Sequence, residues 1–399
     1  MKKLQKRTIK IKTAIVCEPL YKMGGAELHL QYIMQAFPNH ELFTAYYNEE
    51  FVKKNFAETT IHTSKIQKLP NIEKFRNQYI PLLPKAYQSF DFTGFDVVIS
   101  LSSSFAKFVQ TKDIPHIDIC MTPPKFLWNK GSRTIKSEDS LKTSKLNSIS
   151  YSIYNSFIGE KLEDSWRKMD IQSAQRCTRM IAISNVVKER IKDVYNVDSD
   201  VIYPPVNVTE IEKRPLMNRK EDWFLYLGRV ETYKGVELAI RACAQLNLPL
   251  KIAGDGQNAE AMKELVKKMK ARGYIKFLGF VSDEEKYKLL ERAKAVIFPV
   301  QDEDFGIVPV EANGSGTPVI AYRSGGVTET ISEENPKTGV FFDDYTVESL
   351  VKVLKNFSSS NYNQDNCRKQ AELFAEQIFV YKLQNYIKDV LDSQLNEQR

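Results

Sequence analysis

The stretch Val300–Glu311 reads V-Q-D-E-D-F-G-I-V-P-V-E. A short apolar run, Ala295–Val300, leads into it and reads as a buried parallel strand. Three acids follow, Asp302, Glu303 and Asp304, then Phe305-Gly306, then an apolar segment that closes on Glu311. Glu303 and Glu311 therefore bracket a strand-to-helix turn. A helix starting after Gly306 would point its first backbone N–H groups at whatever lies above the strand end. Such a terminus favours a phosphate through its orphan donors and the helix dipole. One carboxylate before the turn and one on the helix can each grip hydroxyls of the same ligand. Phosphate and polyhydroxyl in one molecule point to a nucleotide or a nucleotide-sugar.

Outward from this stretch, the second half of the chain alternates. Short apolar strands read at Trp223–Leu227, Leu250–Ala253, Ile275–Leu278, Ala295–Phe298, Pro318–Ala321 and Gly339–Phe342. Helical spacing reads at Gly235–Leu246, Asn258–Lys270, Asp283–Ala293, Val347–Asn356, Asp365–Ala375 and Phe379–Leu391. Repeated β-α units with buried strands imply a parallel sheet covered on both faces. Ligands of such sheets bind at the carboxyl ends of the strands, where the turns at Gly228, Gly254/Gly256, Gly279, Gly306 and Gly325/Gly326 fall.

The first half opens on a strand, Ile11–Cys17, followed by Gly24-Gly25-Ala26-Glu27 and a helix-spaced apolar set from Leu28 to Phe37. Strand, glycine turn and helix make a phosphate-binding geometry, although Gly-Gly alone is also an ordinary tight turn. Further strands read at Phe95–Leu101, His116–Cys120, Met180–Ser184 and Val201–Tyr203, and helices at Trp166–Arg176 and Val186–Val194. Lys130–Tyr154 is rich in Ser, Lys and Asn and reads as a mobile loop or insertion. Pro204-Pro205 and the charged run after it make a domain boundary. The expected organisation is a first domain over 1–205, a second over 206–378, and a terminal helix, 379–399, crossing back to the first.

Composition narrows the class. At 399 residues the chain is too long for one ordinary core. A hydrophobic share of 42% and a charged share of 27% are those of a globular protein, and no apolar run reaches the ~18 residues of a membrane span. The basic N-terminus lacks the apolar core of a secretory signal. Five scattered cysteines read as small core residues in a reducing compartment, and the four histidines form no metal-ligand pattern with them. Residues 1–205 hold 30 Lys and Arg against 21 Asp and Glu, whereas 206–399 hold 27 against 29. A basic first half suits an anionic membrane surface, or plain solvation. No nucleic-acid module appears, and that partner is discounted.

Two cations complete the chemistry. In Gly228-Arg229-Val230-Glu231-Thr232-Tyr233-Lys234-Gly235, Arg229 follows the first strand of the second domain and Lys234 opens the next helix. Arg suits a forked contact and Lys a point charge, so the pair can neutralise a diphosphate. Ala253-Gly254-Asp255-Gly256 and Ser324-Gly325-Gly326-Val327-Thr328-Glu329 add loops on the same edge.

These residues resemble glycosyltransferase family 4. The match is G-R-V-E-T-Y-K-G, I-A-G-D-G, F-L-G-F-V-S, E-D-F-G-I-V-P-V-E, G-T-P-V-I-A and G-G-V-T-E, in that order. The first half adds G-G-A-E, T-P-P-K-F-L-W, I-A-I-S-N and I-Y-P-P-V, similar to bacterial mannosyltransferases of polysaccharide assembly. The resemblance implies the α/β GT-B fold, two Rossmann-like domains with parallel sheets facing across a cleft. It implies a retaining transfer of a hexose, by the first-half motifs mannose from GDP-mannose, to a glycan or lipid-linked glycan, with the acceptor on the first domain and the nucleotide-sugar mainly on the second. Arg229 and Lys234 would clamp the donor diphosphate and Glu303 would meet the sugar hydroxyls. Gly306, Ile307 and Val308 would give backbone contacts, Glu311 would bind the ribose, and Gly25 would approach the diphosphate from the first domain. No cofactor and no metal is expected, and Asp302–Asp304 is explained by the longer motif. The expected location is cytoplasmic, peripheral at the inner face of a membrane. One departure is Met121, where the family carries His before Thr-Pro. His116 would lie over ~15 Å away along its strand and is a poor substitute. The alternatives are a nucleotide-sugar epimerase of the same fold and a catalytically impaired nucleotide-sugar-binding protein, the latter motivated by Met121.

Overall fold

The computed structural model describes residues 11–128, 157–217 and 220–397. The Ser-, Lys- and Asn-rich stretch Lys130–Tyr154 therefore lies outside the described residues, as do the first ten residues. The chain divides into two compact units, residues 1–202 with 380–399, and residues 203–379.

The first unit is built on a seven-stranded sheet in the order β3-β2-β1-β4-β5-β6-β7. Its strands are β1 (Thr13–Cys17), β2 (His40–Thr44), β3 (Ile61–Thr63), β4 (Val97–Ser102), β5 (His116–Cys120), β6 (Arg179–Ala182) and β7 (Asp200–Val201). Every pairing is parallel. β1, β4 and β5 are buried along their full length, which is why they read as continuous apolar runs. The edge strand β3 and its neighbour β2 do not appear in the sequence reading, because only part of β2 is buried and none of β3. A core of Ala14, Val16, Val98, Phe105, Phe108 and Trp166 packs between the sheet and the helix Phe157–Arg176.

The second unit carries a six-stranded sheet in the order β10-β9-β8-β11-β12-β13. Its strands are β8 (Phe224–Leu227), β9 (Leu250–Ala253), β10 (Ile275–Gly279), β11 (Ala295–Phe298), β12 (Val319–Tyr322) and β13 (Gly339–Phe342). All pairings are again parallel. The amphipathic helices Val236–Gln245 and Val347–Asn356 bury Ile240, Cys243, Leu350 and Leu354 on one face of the sheet. The other face packs Leu225, Val296 and Ala321 against Leu290 and Ala312. Within the unit, Val206 pairs with Ala375, and the Glu376 carboxylate accepts the Val208 N–H at 3.0 Å. All five cysteines are unpaired thiols, four of them buried.

In each sheet the chain order reverses beside the central strand, between β1 and β4 and between β8 and β11. A loop leaving one strand and a loop leaving its neighbour diverge there and open a crevice at the carboxyl edge.

Candidate functional site

The crevice of the second unit lies between the loops that follow β8 and β11. After β8 the chain curls over the hydroxyl of Tyr226, which donates to the carbonyls of Arg229 at 2.9 Å and Lys234 at 3.4 Å. Thr232–Lys234 form one 3-10 turn, and Gly235 follows with φ 71°. A Cβ at Gly235 would collide with the carbonyl oxygen of Pro299, directly after β11. Glycine is therefore what lets the two loops close on each other. The result is a contact between residues far apart in sequence: the Lys234 ammonium lies 3.0 Å from Glu303 Oε2. Both side chains stay about one-fifth exposed, so the pair remains open to a ligand. The Arg229 guanidinium lies 5.7 Å from the Tyr233 ring centre, and among the described residues it has no carboxylate partner.

The acid loop is held from below. The Gly326 N–H donates to the Glu303 carbonyl at 2.8 Å, and a Cβ at Gly325 (φ 76°) would strike the same carbonyl. Phe305 points into an aromatic cluster with Tyr203 and Phe374 at 5.8 and 5.4 Å between ring centres. Gly306, at φ 103°, starts the helix Ile307–Gly314 and has no side chain with which to cap it. The N–H groups of Ile307 and Val308 are thus among the orphan donors of that helix start. Glu311, one turn further on, is buried and bonded to the Lys286 ammonium at 2.8 Å. Burial raises the Glu311 pKa, and Lys286 opposes that shift.

Of the residues singled out from the sequence, Lys234 and Glu303 touch. Gly306, Ile307 and Val308 lie on the same loop, with Glu311 behind them. Arg229 sits on the facing loop. Gly25 belongs to the first unit, where it opens the helix Gly25–Ala36 behind an uncapped Gly24. Among the described residues no group of three or more His, Cys, Asp or Glu converges as a metal site, and no helix is long and apolar enough to cross a membrane.

The first unit holds a feature that the sequence reading missed. A pocket of about 380 Å³ opens at its carboxyl edge, lined among others by Glu18, Tyr21, Glu27, Arg76, Ser104 and Met121. Glu18 follows β1, and its Oε1 accepts the backbone N–H groups of Ser103, Ser104 and Ala106 at 3.3, 2.8 and 3.1 Å, all in the loop after β4. Burial raises the Glu18 pKa, while these N–H groups and Lys107 act to lower it. The available signal was an acid directly after a fully buried strand. Met121, read as a departure from the family pattern, lines this pocket, whereas His116 is buried at the far end of β5 against Ser100.

Two parallel, doubly wound sheets of this order are those of the GT-B fold class. A crystal structure of Anabaena Alr3699/HepE in complex with UDP-glucose shares the fold, with a TM-score of 0.63 over 94% of this chain and 100% of that one, at 17% identity. Residues 207–374 match the model of the glycosyl transferases group 1 family. The human alpha-1,3/1,6-mannosyltransferase ALG2 is 29% identical over 235 residues, 52% of this chain and 56% of the relative. The O-antigen chain mannosyltransferase RfbU of Salmonella typhimurium is 34% identical over 156 residues, 37% of this chain and 43% of the relative. The chain spans about half the length of the curated relatives it matches.

Proposed function

We propose that the chain is a retaining glycosyltransferase that moves a hexose from a nucleotide-sugar to a glycan or lipid-linked glycan. The observation that carries this reading is the Lys234–Glu303 pair at the carboxyl edge between β8 and β11, with Arg229 on the same side. A cation stabilises a departing diphosphate, whose charge grows in the transition state. A carboxylate beside it accepts sugar hydroxyls, and the uncapped start of Ile307–Gly314 suits the phosphates. Glu311 would take the ribose hydroxyls in exchange for part of its bond to Lys286. Gly25 would bring backbone N–H groups to the diphosphate. Mannose is favoured as the sugar because the two curated relatives named above are mannosyltransferases, and GDP-mannose is then the donor. The reading needs no metal, because Arg229 and Lys234 supply the positive charge.

A thermal-shift panel of GDP-mannose, UDP-glucose and UDP-galactose tests the donor. A ligand at a hundred times its Kd stabilises the fold by about 2.7 kcal/mol, so the true donor should raise Tm by roughly 5 °C or more. A flat response to all nucleotide-sugars would overturn the reading. The basic first half would hold the enzyme on an anionic membrane by electrostatics. Sedimentation with phosphatidylserine vesicles should then fall steeply between low and high salt, since screening shortens the reach of each charge. Binding that persists unchanged at high salt would rule out this mode of attachment.

A further inference from the structure

Tyr203 and Glu329 are 126 residues apart, one in I-Y-P-P-V and the other in G-G-V-T-E, and they meet. The Tyr203 hydroxyl donates to Glu329 Oε2 at 3.0 Å. The Tyr203 ring centre lies 5.8 Å from that of Phe305 and 5.1 Å from that of Phe374. Tyr203 therefore meets the loop after β11 with its ring and the loop after β12 with its hydroxyl. All four residues belong to the second unit. The backbone of Tyr203 is anchored close by. The Val206 N–H donates to the Phe374 carbonyl at 3.0 Å, and the Val206 carbonyl accepts the Glu376 N–H at 3.1 Å.

The acid loop is bent at both ends, at Asp302 with φ 55° and at Gly306 with φ 103°. A non-glycine residue keeps a positive φ where its surroundings over-determine it. On one side of the loop, Gly325 and Gly326 press so closely on the backbone of Glu303, Asp304 and Phe305 that a Cβ on either would collide. On the other side, Phe305 is only 2% exposed, within the Tyr203 and Phe374 cluster. The helical turn Val327–Thr330, which carries Glu329, also backs Gly306. A Cβ at Gly306 would lie 3.4 Å from Thr330 Oγ1 and 3.6 Å from Val327 Cα. Glu303 before Phe305, and the Ile307 and Val308 N–H groups after it, are thus placed by one assembly that Tyr203 ties together.

We infer that Tyr203 is a positioning residue of the nucleotide-sugar site. By bracing the loop after β12 against the loop after β11, it fixes Glu303 and the helix start at Gly306 for the ligand. The nature of that ligand rests on the glycosyltransferase reading; the brace does not. Tyr203 takes no part in breaking the donor bond.

Tyr203→Phe keeps the ring and removes the bond to Glu329. Glu329→Ala removes the same bond from the other side, and Glu329→Gln keeps an acceptor for the hydroxyl. Hydrogen exchange of the full chain without ligand reads the brace. Calorimetric titration with GDP-mannose, UDP-glucose and UDP-galactose reads the positioning. In Tyr203→Phe and Glu329→Ala, peptides covering Asp302–Val308 should exchange about fivefold faster, while those of β9 stay unchanged. The Kd of the nucleotide-sugar that wild type binds should rise about tenfold, with Tm within about 5 °C of wild type. Glu329→Gln should recover most of that loss. The double variant Tyr203→Phe/Glu329→Ala should bind no worse than either single one, because both remove one shared bond.

Faster exchange with an unchanged Kd would overturn the positioning role, since a contact that only supports the fold behaves that way. Unchanged exchange in both single variants would overturn the brace. Glu329→Gln as defective as Glu329→Ala would also overturn it, by placing the effect on the charge of Glu329. If Tyr203→Phe fails to fold, undiminished binding by Glu329→Ala decides against the assignment. Faster exchange in the variants, with no nucleotide-sugar bound by wild type, would keep the brace and remove the transferase reading together with the positioning role. Wild-type binding that neither variant alters would keep the transferase reading and remove the positioning role alone.

Discussion

Lys234→Ala is expected to lower kcat/KM for sugar transfer by about a thousandfold while the protein unfolds within a few degrees of wild type. The two halves of this statement come from the same geometry. Lys234 and Glu303 lie 3.0 Å apart but each is about one-fifth exposed. A pair so open to water contributes on the order of 1 kcal/mol or less to the fold. In the proposed reading its value is electrostatic and local to the ligand. A fixed ammonium aimed at the charge that develops on a leaving diphosphate is worth about 10²–10³ in rate. Glu303→Ala should be similarly inactive, through loss of the sugar hydroxyl contact. The double variant Lys234→Met/Glu303→Leu is the sharper measurement. If the lysine only neutralised the glutamate, removing both would restore turnover. If each touches the ligand, the double variant stays as inactive as either single one. Wild-type-like turnover by purified Glu303→Ala would contradict the assignment outright.

How much of this could be read beforehand depends on where each residue sits. β9, β11 and β13 coincide with the runs read from sequence, since each is a four-residue buried strand. β2 and β3 escaped because their order comes from cross-strand contacts. His62 on β3 stacks on Phe43 of β2 at 4.5 Å and meets Glu41 at 2.6 Å, and no local pattern announces such pairs. The site divides in the same way. Gly306, Ile307 and Val308 follow one another in sequence, so their turn is legible as a unit. Lys234 and Glu303 are 69 residues apart, and their meeting follows from β8 lying next to β11. Without the family resemblance, nothing local fixes that neighbour. Glu18 shows the limit more plainly, since the donors that hold it lie 85 to 88 residues downstream. These contacts are created by the parallel pairing of β1 with β4.

The turn after β4 also carries a buried ion pair to the helix Phe157–Arg176, and Lys107→Met should cost about 3–5 kcal/mol of stability. Lys107 and Asp170 are both wholly buried, with 2.5 Å between ammonium and Oδ1. Asp170 Oδ2 accepts Trp128 Nε1 at 2.7 Å and the Tyr195 hydroxyl at 2.8 Å, while Asp118 accepts Ser100 and Ser102 at 2.6 and 2.9 Å. Burial alone would lower the Lys107 pKa, but Asp170, Cys120 and Asp118 more than offset it, and the ammonium is held above its ordinary value. Burial pushes the Asp118 carboxyl up to about 6 even with Lys107 acting against the shift. Removing the lysine leaves buried negative charge without its cation, which is why breaking such a pair costs more than replacing it whole. Lys107→Met/Asp170→Leu should accordingly recover much of the loss. The deficit also has a pH signature. Without Lys107 the native pKa of Asp118 rises further above that of the unfolded chain. A raised carboxyl pKa stabilises the native state at low pH and loses that contribution as pH rises through it. The Lys107→Met deficit should therefore be larger at pH 8 than at pH 5. Urea unfolding at the two values measures the difference, and a deficit that is equal at both, or larger at pH 5, would show that the lysine acts through packing and not through its charge.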